Sequence, residues 1–78
     1  MTEFDQLKNG YIAIIQLGLA ANVGCQQAKQ GNDILHKVCE NFINNSWYND
    51  TDKTTMKQEL ELLKETLSNE IEDYYQHG

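Results

Sequence analysis

Apolar residues recur in an unbroken three-four alternation through the first third of the chain: Phe4, Leu7, Tyr11, Ile14, Gly18, Ala21, Cys25 and Ala28. That spacing keeps one side of an α-helix apolar over many turns and is the pattern of a helical seam. The chain also lacks proline, so nothing in its covalent structure forbids long helices. Together these features predict an all-α fold. The seam tapers, with bulky residues in its first half and small ones in its second.

End signals divide the chain into three helices. Thr2 suits an N-cap, and Glu3 and Asp5 suit the positive end of a helix dipole. The first helix is predicted to run from about Glu3 to Gln30, with Gly31 in the left-handed position that ends it. Asn32 then caps a second helix from about Asp33 to Asn45. Its apolar face comprises Leu35, Val38 and Phe42 with Ile34, Cys39 and Ile43. So short a turn at Gly31-Asn32 implies an antiparallel hairpin, placing Ala21 level with Phe42 and Cys25 level with Val38 or Cys39. After a polar connection from Ser46 to Thr51, a long third helix is predicted from about Asp52 to Gln76. Met56, Leu60, Leu63, Leu67, Ile71 and Tyr74 form its stripe. The expected architecture is a single-domain three-helix bundle: an antiparallel helical hairpin plus a long C-terminal helix.

Size and charge narrow the function. At 78 residues, a domain buries only about 60% of its unfolded-chain surface, so an interface shared with another molecule adds needed stability. Six lysines, no arginine and twelve carboxylates give a net charge of -6. Phosphate neutralisation depends on Lys and Arg, so direct nucleic-acid binding is not expected. The apolar run from Tyr11 to Leu19 is too short to span a bilayer. Glu3 and Asp5 outweigh Lys8 where a secretory signal needs positive charge. A cytoplasmic protein without a membrane partner is the expectation.

No catalytic constellation is visible. Ser46, Ser68, His36 and His77 are the only serines and histidines, and no spacing brings a nucleophile to a base. No enzyme activity and no cofactor are expected. Cys25 and Cys39 have three readings. They are buried apolar packing groups, or a disulfide that the predicted hairpin register would allow. As a third option they join His36 as ligands of a thiol or metal sensor.

Surface features point to a protein partner. Glu61, Glu65 and Glu72 fall within about 40° of one another on the third helix, with Asp73 beside them and Lys57 and Lys64 to the flank. Such a ridge is either a solvated face that keeps a small protein soluble or a surface that steers association with a basic partner. Ile12, Ile15 and Leu19 form a second stripe on the first helix, either internal or the seam of a subunit or partner interface. Trp47 and Tyr48 sit where the second helix ends. Trp47 either closes the bundle beside Phe4 or Met56, or acts as an interface anchor. Tyr75 lies off the core stripe and is the more exposed tyrosine expected near the C-terminus. The leading expectation is a small acidic regulator, an inhibitor docking on a larger target with a basic, possibly nucleic-acid-binding, surface. A homodimer or chaperone-like assembly subunit is the competing one.

Overall fold

The computed structural model describes residues 2–77, the side chain of residue 77 excepted. It contains three helices and no strand among the described residues: α1 (Glu3–Ala20), α2 (Cys25–Asn44) and α3 (Asp50–His77). They run antiparallel in succession and pack into a rod of 42 × 19 × 17 Å. The expected all-α three-helix bundle is the observed fold, with α2 and α3 in closest contact.

Side-chain caps explain where α1 and α3 begin. Thr2 and Asp5 form a reciprocal capping box, the Thr2 hydroxyl accepting from the Asp5 N–H and the Asp5 carboxylate accepting from the Thr2 N–H. Those bonds, the backbone one first, hold the Asp5 carboxyl below its ordinary range. At α3, the Asn49 side chain accepts from the Asp52 N–H at 2.8 Å. Asn49 therefore caps α3, which begins at Asp50 rather than at Asp52.

The first turn is where the structure departs from sequence expectation. α1 ends at Ala20, ten residues before the expected Gln30, and α2 begins at Cys25 rather than Asp33. Asn22 adopts φ 55. Its N–H donates to the Leu19 carbonyl at 3.0 Å, and the Val23 N–H to that of Gly18 at 3.3 Å. This is a Schellman termination with asparagine in the left-handed position. Gly24 follows at φ 101, a backbone state essentially restricted to glycine. Gly31, by contrast, is ordinary helix interior. Asn32 caps nothing: it is 2% exposed, and its partners lie on the other two helices. Its Nδ2 donates to the Lys64 carbonyl of α3 at 3.0 Å, and its Oδ1 accepts from the Tyr11 hydroxyl of α1.

Moving the turn rotates the core. Phe4, Tyr11, Ile15 and Leu19 of α1 are buried against Ala28, Cys39 and Ile43 of α2 and Leu60, Leu67 and Ile71 of α3. Leu7, Ile12, Leu35, Met56 and Leu63 pack partly buried around them. Ile14, Ile34, Val38 and Phe42, all expected inside, are exposed instead. Tyr74 and Tyr75 exchange their expected roles. Tyr74 is exposed, whereas half-buried Tyr75 accepts from the Gly24 N–H at 2.9 Å and ties the end of α3 to the first turn.

Candidate functional site

Ion pairs locate α3 relative to the other helices. Lys8 of α1 reaches Glu59 at 3.3 Å, Lys29 of α2 reaches Glu72 at 2.5 Å, and Lys64 reaches back to Asp33 of α2 at 3.3 Å. At about 100° per residue, Ile14 and Leu17 project from α1 about 120–180° away from Lys8. On α2, Ile34, Val38 and Phe42 project about 120–160° away from His36, which faces α3. All five therefore share the outer side of the α1–α2 hairpin. They are between 44 and 69% exposed.

That face carries almost no charge. Residues 9 to 28 include no Asp, Glu or Lys, and residues 41 to 49 include none either. Between the large side chains lie Gly10, Ala13, Gln27 and Gly31. Glu3 stands at one end and Lys37 along one margin. Monomeric soluble proteins rarely leave a contiguous apolar patch of this kind uncovered. The signal was present in the sequence as the twenty-residue uncharged run. The periodicity alone obscures it, because it assigns Ile14, Ile34, Val38 and Phe42 to the core.

Of the two readings of the second α1 stripe, the internal one is observed. Ile15 and Leu19 lie in the monomer's own core, and Ile12 packs partly buried against it. Ile12 also lines a shallow groove of about 700 Å³ between α1 and α3, together with Asp5, Lys8, Glu59, Leu62 and Thr66.

Two members of the acidic ridge have partners within the chain. Glu72 is paired to Lys29, whose ammonium is held above its ordinary pKa by that hydrogen bond. Glu61 lies 3.4 Å from His36. The ridge therefore has a lysine beside it, contributed by α2 across the helix seam. Glu65 and Asp73 are exposed. Trp47 closes no part of the core: it is 86% exposed and stacks on Tyr48, their ring centroids 6.0 Å apart. Phe4, Ile43 and partly buried Met56 pack without it, and the short α2–α3 connection carries Trp47 outward.

The cysteine readings also change. Both thiols are free, and they now lie on one helix, about 21 Å apart along its axis. That separation excludes a disulfide between them. Cys25 is likewise about 16 Å from His36 along α2, so Cys25, His36 and Cys39 do not converge on one ion. Burial pushes the Cys39 thiol up from its ordinary pKa, which makes it a poor nucleophile.

No helix among the described residues is long and apolar enough to cross a membrane. Compared with protein families, curated proteins and solved structures, the chain finds no match.

Proposed function

We propose that this chain is a non-enzymatic protein-binding regulator that docks through the outer face of the α1–α2 hairpin. The observation that carries the reading is the grouping of Ile14, Leu17, Ile34, Val38 and Phe42 on one nearly charge-free face. The rest of the molecule contributes to its net charge of -6. Charge and apolar surface thus have separate duties. The overall negative field steers the chain toward a basic protein, an effect on association rate that salt weakens. The apolar face then excludes water and sets the dissociation rate. An inhibitor covering a functional surface of its target needs both.

The test is retention of a partner from host lysate by the immobilised chain and by Leu17→Lys and Val38→Lys variants. Both positions are exposed, so both variants keep the helical circular-dichroism signal. The expected result is one protein retained by the parent, lost by both variants, and captured more slowly as salt rises. Equal capture by parent and variants sinks the proposal.

A second reading rests on the same face. A surface nearly free of carboxylates is a place where two copies of so acidic a chain can meet with few like charges opposed. Light scattering separates the readings: a monomer has a mass of 9.0 kDa, and the homodimer has twice that. Loss of the dimer in Val38→Lys assigns the face to self-association.

A further inference from the structure

His36 points into the seam between α2 and α3, where its side chain is only 5% exposed. Its Nε2 is buried and has no hydrogen-bond partner. Buried imidazole nitrogens are normally paired, because nothing else compensates their removal from water. Two carboxylates stand at the ring. Glu40, one turn further along α2, brings Oε1 to 3.6 Å from Nδ1, and Glu61 of α3 brings Oε1 to 3.4 Å from Nε2. One donor atom from each of the three residues lies within 4.8 Å of the other two.

We propose that His36, Glu40 and Glu61 bind a divalent first-row transition-metal ion of the zinc class. An ion bonded at about 2.0–2.2 Å holds neighbouring donors roughly 3–4 Å apart. A contraction of up to about 2 Å brings donors lying within 4.8 Å of one another to that spacing. Glu40 is part-exposed and Glu61 exposed, so their outer ends can rotate inward while the imidazole stays fixed by the core. The unpartnered Nε2 is the anchoring ligand, and the two carboxylates balance the charge of the ion. Water fills the remaining positions on the open side. One imidazole with two carboxylates suits Zn²⁺ and its neighbours, whereas Mg²⁺ takes oxygen ligands and keeps its waters. The bound ion links α2 to α3 through Glu61. The site faces α3, about 160° around α2 from Val38, so it stands or falls independently of the docking face.

The experiment is calorimetric titration of the full chain with ZnCl₂ in a His77→Ala background, which removes the other imidazole. One site of roughly micromolar affinity is expected, with a thermal midpoint that rises with free Zn²⁺. Glu40→Gln and Glu61→Gln change only exposed or part-exposed groups and leave the metal-free fold intact. Each is expected to weaken Zn²⁺ binding about tenfold or more. Co²⁺ in place of Zn²⁺ is expected to give the weak visible bands of a nitrogen and oxygen ligand set. Three results overturn the site. One is no binding of Zn²⁺, and another is unchanged affinity in the Glu40→Gln, Glu61→Gln double variant. The last is a thiolate-to-cobalt charge-transfer band, which would place the ion on Cys25 or Cys39.

Discussion

Asn32 bonds to both neighbouring helices at once, and the consequences can be worked out at Tyr11. The Tyr11 hydroxyl donates to Asn32 inside the core, and both residues are 2% exposed. Tyr11→Phe leaves the Asn32 Oδ1 buried without its donor, at a cost of about 1–3 kcal/mol. Chemical denaturation measures it as a lower midpoint with unchanged slope. A pH effect accompanies the loss. Burial pushes the Tyr11 phenol well above its ordinary value of 10.0, so the folded state keeps its proton where the unfolded chain releases it. Stability from this group is therefore complete below about pH 10 and falls as pH rises beyond it. In Tyr11→Phe that part of the alkaline decline is expected to vanish, so the stability difference between parent and variant narrows above pH 10. A decline of equal steepness in both proteins would show that other groups cause it.

Two glycines in neighbouring elements have opposite expected responses to a methyl group. Gly24 has φ 101 between α1 and α2, and Gly24→Ala strains the backbone by about 1–3 kcal/mol. Gly31 lies within α2, and a Cβ there meets nothing within 4 Å. Gly31→Ala is expected to stabilise the chain by about 0.5–1 kcal/mol. Thermal melts of the two variants should move in opposite directions. The same pair shows what was legible in the sequence. The start of α1, the whole of α3 to within two residues and the three-helix plan follow from caps and apolar spacing, which are local. The first turn does not, because Asn22 with Gly24 and Gly31 with Asn32 offer the same turn chemistry. What decides between them is that Asn32 finds a donor on Tyr11 and an acceptor on Lys64, 32 residues away. Misplacing that turn by ten residues rotated the core faces of α1 and α2. Ile15 and Leu19, read from the sequence as either internal or an interface, are therefore buried, whereas Leu17 and Val38 are exposed. The histidine cluster was hidden for a related reason, since Glu61 reaches His36 only through the packing of α3.

In the whole molecule α2 and α3 form the closely packed pair, and α1 contacts each of them less. Elements with fewer buried contacts open at lower free energy than the global unfolding value. Amide hydrogen exchange is expected to be faster through α1 than in the buried parts of α2 and α3. Docking of a partner on the hairpin face, as proposed, is expected to slow it, because the same α1 backbone would then be clamped from outside. Equal protection in all three helices would contradict this ordering.

The lone tryptophan adds an optical consequence. Trp47 stands in water at the α2–α3 connection, 86% exposed, so its emission maximum is already that of a hydrated indole in the folded protein. Unfolding by urea should shift its colour little, whereas far-ultraviolet dichroism collapses. A fluorimeter that misses denaturation nevertheless becomes a sensitive proximity gauge. A shift to shorter wavelength on mixing with another macromolecule means that the indole has been covered, and that contact extends to this end of the rod.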